Sequence, residues 1–166
     1  DPDTGAVVTN TSDPVALDVT VSATVDAPDV TTTAATGDED GAIDIDFGAT
    51  VDTVGIPDGT LESYEISGIP VGSVLTVDGV EVTITDGSVT LTPDQIANVQ
   101  LTPPLDDAND FTLQVTATAT DTDPDTGAVV TNTSDPVDLD VTVDATVDAP
   151  DVATTAATGD EDAAID

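Results

Sequence analysis

Residues 1–44 and 123–166 are one sequence written twice at an offset of 122 residues, beginning DPDTGAVVTNTSDPV in both copies. Four positions differ: Ala16/Asp138, Ser22/Asp144, Thr31/Ala153 and Gly41/Ala163. A repeat this long and this faithful is the signature of a tandem array, whose unit must be a domain of ordinary size. The expected division is the C-terminal part of one repeat at 1–26, a complete repeat at 27–148 and the N-terminal part of the next at 149–166. The opening Asp-Pro, without an initiator Met or a signal peptide, fits an internal piece of such an array. Any function read from the chain belongs to an array element.

Within the unit the apolar residues follow period two. Val15, Leu17, Val19, Val21, Ala23 and Val25 alternate with Asp18, Thr20, Ser22 and Thr24, which predicts a half-buried strand over 15–25. The second copy predicts the same over 137–147. Phe111, Leu113, Val115, Ala117 and Ala119 predict another long strand. Shorter alternations fall at Ile43–Phe47, Tyr64–Ile66, Leu75–Val77, Val80–Ile84, Val89–Leu91 and Val99–Leu101, and Val7–Val8 is a further short candidate. Asp78-Gly79 and Asp86-Gly87 are hairpin turns. Thr92-Pro93-Asp94-Gln95 reads as an N-cap, a proline at the first helical position and a single helical turn, from which Ile96 packs inward. Residues 48–60, with three glycines and Pro57, read as loop, and Asp26-Ala27-Pro28-Asp29 reads as the break between repeats. About eight strands with frequent turns and no helix long enough for a crossover predict an all-β Greek-key sandwich. A β-helix would need a much shorter period. Only Phe47, Tyr64 and Phe111 supply aromatic volume, so the core must be built from branched aliphatics.

Charge is the second constraint. The chain holds 35 acidic residues, 30 of them Asp, and no Lys, Arg or His, for a formal charge of −35. No side-chain salt bridge can form, and self-repulsion opposes compaction. At 38% hydrophobic residues the chain is nonetheless too apolar for an acidic disordered tail. Neutralisation must come from outside, as divalent cations, salt or both. Nucleic acid and anionic membrane surfaces are poor partners for such a surface, and no apolar run is long enough to insert in a membrane.

Calcium is the ion this residue supply suits, since it takes six to eight oxygens, and carboxylates near Gly or Pro turns provide them. Three clusters qualify in the complete unit. One is the boundary pair Asp26 and Asp29, joined by Glu39 and Asp40 from the next turn and copied at Asp148 and Asp151. The second is Asp106, Asp107 and Asp110. The third, Asp121, Asp123 and Asp125, has alternate-residue spacing without the terminal glutamate or flanking helices of an EF-hand. Each is also readable as a solvated acidic turn, because local Asp pairs arise by chance in so acidic a chain. Asp18, Asp44, Asp46 and Asp140 read as exposed strand faces. Carboxylates on both sides of a short Pro-containing boundary could share an ion and hold two repeats at a fixed angle.

Catalysis is a poor expectation. Without His, Cys or Lys there can be no triad, Schiff base or imidazole–metal site, and carboxylate pairs suited to glycoside hydrolysis are uninformative at this acidity. Without Cys there are no disulfides. Two sequons, Asn10-Thr11-Ser12 and Asn132-Thr133-Ser134, match a short and common glycosylation pattern.

The pieces VDAPD, AATGDEDGAIDIDF, YEISGIPVGSVLTVDG, VTLTPDQIANVQLTPP and DFTLQVTATATDTDPDTG, in this order, resemble the extender repeats of large bacterial RTX or LapA-like surface adhesins secreted by the type I route. They cover nearly all of the complete unit and both flanking parts. The resemblance implies an immunoglobulin-like or cadherin-like sandwich, many bound calcium ions at positions such as Asp26, Asp29, Glu39 and Asp40, and an extracellular spacer role in attachment or biofilm formation. Its partners would be neighbouring repeats of the same polypeptide. The chain departs from that group in lacking the Lys, Trp and additional Tyr many such repeats carry. Two alternatives stay open: head-to-tail self-association into a filament, and a sandwich that itself grips a glycan, ice or another surface, for which the Thr ladders at 112–122 and 142–146 would serve.

Overall fold

A computed structural model of the chain describes residues 3, 5, 7, 9–51, 59–147, 149, 150, 152–159 and 161. Twelve strands follow in chain order: β1 (Asp29–Thr33), β2 (Ala35–Asp38), β3 (Ile43–Asp44), β4 (Asp46–Thr50), β5 (Thr60–Ser67), β6 (Val74–Val77), β7 (Val80–Val82), β8 (Val89–Leu91), β9 (Val99–Thr102), β10 (Phe111–Thr122), β11 (Val129–Thr133) and β12 (Val137–Asp144). A 3₁₀ turn, Pro93–Gln95, precedes β9. Its entry carries the expected chemistry: Pro93 opens the turn, and the Gln95 side chain accepts the Thr92 N–H at 2.9 Å.

The strands of the described residues form three sheets. The largest sheet runs β2-β12-β10-β5-β8, with β11 also paired to β10; a second runs β3-β9-β6-β7, and β1 pairs with β4 alone. All pairings are antiparallel except β2 with β12, which is parallel. The large sheet is therefore mixed, and it curls into a half-barrel that the second sheet covers, giving a sandwich-like all-β domain. Period two decides which residues face inward. Leu113, Val115 and Ala117 of β10 and Leu139, Val141 and Val143 of β12 share one core with Ile43, Leu75, Val99 and Leu101 of the facing sheet. Phe47 meets Tyr64 edge to face at a centroid distance of 5.4 Å.

Tyr64 is the one buried phenol, and its hydroxyl accepts the Ala49 N–H at 3.1 Å. Burial pushes its pKa above the ordinary tyrosine value, with the Ala49 bond acting in the opposite direction. Tyr64→Phe leaves that half-buried N–H without its acceptor. The expected loss is about 1–2 kcal/mol in urea unfolding.

The two hairpin turns form as the Asp-Gly dipeptides dictate. Asp78 and Gly79 have φ of 51° and 77°, and Asp86 and Gly87 have 51° and 76°, the left-handed pair a tight type I′ connection requires.

Four expectations are corrected. Residues 15–25 are not a strand: Val15, Leu17, Val19 and Val21 are exposed and join no ladder. Among the described residues the position of this kind lies between β2 and β10, and the second copy of the sequence takes it as β12. An apolar strand face is stable only against a partner, so identical residues differ with their surroundings. In the second copy the strand stops at Asp144 rather than 147, and Val147 is exposed. Val7 is exposed and outside any strand, and Val8 lies outside the described residues. The loop expected at 48–60 begins later, because Gly48, Ala49 and Thr50 continue β4 against β1; residues 52–58 lie outside the described residues.

Candidate cation sites at the two ends of the module

The register sorts the candidate carboxylates to opposite ends of the domain. β1 and β2 run in one direction from Asp29 to Asp38, and β3 and β4 return, so that Asp29 faces Thr50. Ten residues of extended chain cover roughly 30 Å. Asp26 and Asp29 therefore sit where the chain enters the domain, while Glu39 and Asp40 sit at the far end. The single cluster expected of these four residues is not formed: the fold does not bring them together within one unit.

At the entry end, Asp26 and Asp29 line a surface depression of about 370 Å³ with Ala27 and Thr50. Two carboxylates offer at most four oxygens, fewer than calcium takes. Asp121, near the end of β10, and Asp123 and Asp125, just after it, lie at this same end. Asp123 is only 8% exposed and serves the backbone. One of its oxygens accepts the N–H groups of Asp125 and Thr126 at 2.9 and 2.8 Å, and the other accepts that of Ala23 at 3.4 Å. The bonds from Thr126, backbone and side chain, hold its pKa below the usual aspartate value, helped by Asp125 and Ala23 and opposed by burial. Asp121 accepts the N–H of Thr122 at 2.8 Å. This cluster is a turn anchored by its own carboxylate.

At the exit end, where β12 finishes, several loops meet. Glu39 donates its N–H to the Asp144 carbonyl at 2.9 Å, and its carboxylate accepts the Thr146 N–H at 2.8 Å. Asp40, in a left-handed conformation with φ 61°, accepts the Asp106 N–H at 3.0 Å. Asp107 accepts the backbone and side-chain N–H groups of Asn109. Asp110 accepts the Val143 N–H at 2.9 Å. Glu39, Asp40, Asp106, Asp107 and Asp110 are thus gathered at one end although they come from two sequence clusters. Among the described residues, no three acidic side chains are placed to hold one metal ion together. Asp148 and Asp151 lie outside the described residues.

Two features have no signature in the sequence beyond the exposed strand faces expected at Asp44 and Asp46. Asp44, Asp46 and Asp78 line a depression of about 580 Å³ with Asn98 and Gln100; Asn98 donates to Asp78 at 2.6 Å and Gln100 to Asp44 at 2.8 Å. Their residue types carry no local signal of this, since the partners lie 20 and 56 residues away. The other is Gly59, at φ +98°, where a Cβ would lie 2.7 Å from Val25 Cγ2 and 2.8 Å from the Thr120 carbonyl. Gly59→Ala combines a disfavoured φ with a clash against backbone. The expected cost is about 1–3 kcal/mol, measured as a lowered thermal midpoint.

No family model, curated protein or solved structure matches the chain. Among the described residues no helix is long and apolar enough to cross a membrane.

Proposed function

We propose that the unit is a structural spacer, an extender repeat of a large bacterial surface adhesin. External cations, calcium foremost, would neutralise it and stiffen the chain of repeats. The observation that carries the reading is the near-identical 44-residue segment that recurs at an offset of 122 residues in a chain of charge −35 without one basic residue. Repetition with so little variation suits a part whose job is length. The sandwich-like domain supports it, because β12 leaves at the end opposite the entry of β1, as an end-to-end array requires. The resemblance of the sequence pieces to adhesin extenders points the same way and is the basis for proposing the extracellular bacterial surface.

Calcium would act at the joints. Asp26 and Asp29 supply an incomplete oxygen set. In an array, the exit-end carboxylates Glu39, Asp40, Asp106, Asp107 and Asp110 of one repeat would face the boundary pair of the next. Two partial sets would then make up the coordination calcium takes. No catalytic role is proposed, for a chain without His, Cys or Lys.

Scattering from a protein of several repeats, in calcium and in EDTA at equal ionic strength, tests this reading. The expected result is a longer maximum dimension in calcium; an unchanged one would remove the ion clamp. Head-to-tail association of separate chains is the second reading, favoured by the exposed apolar row Val15, Leu17, Val19 and Val21. A mass in solution that does not rise with concentration would exclude it.

A further inference from the structure

The segment ATVDAPD occurs at 23–29 and again at 145–151, and the two copies meet different surroundings. Val25 is 9% exposed and Val147 is 99% exposed. Three contacts account for the difference. The Val25 side chain fills the space left by the missing Cβ of Gly59. The Asn132 side-chain amide, on β11, donates to the Val25 carbonyl at 3.1 Å. Asp123, fixed by its own turn, receives the Ala23 N–H at 3.4 Å. In the other copy the Thr146 N–H is held by Glu39, and Val147 has no comparable socket among the described residues.

We propose that the β10–β11 corner, with Gly59, is a socket for the end of the preceding repeat's last strand, so that successive repeats interlock by direct contact. The inference rests on the tandem-spacer reading and names the partner surface within it. The occupant is a segment of this chain: residues 15–22 are the sequence counterpart of β12 at an offset of 122, and Ala23-Thr24-Val25 follow them into the socket. The same three residues, Ala145-Thr146-Val147, follow β12 and would enter the next repeat's socket in turn. The socket residues recur with them, since Asp1 and Asn10 are the counterparts of Asp123 and Asn132. Only Asp26, Ala27 and Pro28 separate the seated valine from β1, a tether too short and too stiff for free rotation. The joint therefore has a defined geometry before any ion arrives, and calcium would tighten a contact that already exists.

The test uses the 166-residue chain in sodium chloride with EDTA, read by backbone NMR relaxation and amide exchange. Residues 23–25 are expected to be as ordered as β10 while 147 moves freely. Asn132→Ala and Val25→Ser are each expected to free 23–25, speeding exchange of the Ala23 amide by about fivefold or more. Amides of Leu113 and Leu139 should stay protected, which separates loss of the socket from loss of the fold. The proposal is overturned if residues 23–25 already move like 147 in the unaltered chain, or if both variants leave them unchanged. Because calcium is absent throughout, failure of the ion clamp in scattering would leave this result standing.

Discussion

Leu139→Ala is expected to destabilise the domain by about 2–5 kcal/mol, whereas Leu17→Ala changes stability by less than about 0.5 kcal/mol. The two leucines occupy the same position in the two copies of the repeated sequence. Leu139 is 1% exposed and pairs with Leu113 across β10 and β12. Leu17 is 85% exposed. Removing Leu139 subtracts its transfer free energy and leaves a cavity in a core with few aromatic rings to collapse into it. Removing Leu17 takes apolar surface from water that never left it. Urea unfolding of both variants measures the contrast. Equal losses would mean that residues 15–25 are packed in solution as tightly as β12.

The second large effect is expected from ionic strength. With 35 carboxylates and no internal counter-ion, folding concentrates like charge that nothing in the chain offsets. Raising monovalent salt from about 0.01 to 0.15 M shortens the screening length from roughly 30 Å to 8 Å, below the width of the domain. The thermal midpoint in EDTA should rise by about 10 °C or more over that range, corresponding to a few kcal/mol for a domain of this size. Most surface-charge patterns give much smaller shifts, because attraction and repulsion are screened together. Here only repulsion is screened. A midpoint that does not move would mean that the carboxylates are already neutralised by other means.

The strands were legible where a local pattern coincided with a partner that exists in the fold. Leu113 to Ala119, Val99 to Leu101 and the two Asp-Gly hairpins are instances, since alternation and turn chemistry are local properties. Residues 15–25 were misread for the opposite reason. Their alternation is as regular as that of 137–143, but alternation says only that a face can be buried, and among the described residues the slot between β2 and β10 belongs to the other copy. The acidic clusters were legible as residue types and not as sites. Asp123 spends both oxygens, and Asp110 one, on backbone N–H groups up to 100 residues distant, a use that no spacing rule reveals. Closeness along the chain groups Glu39 and Asp40 with Asp26, but ten residues of extended chain, Asp29 to Asp38, carry them to the opposite end.

The most direct measurement of the central claim is a calcium titration of the chain, followed by heat uptake and by the thermal midpoint, against sodium chloride at matched ionic strength. Saturable uptake, with a midpoint raised beyond the sodium control, is the result the account predicts. No uptake, and a midpoint that sodium alone reproduces, would contradict it.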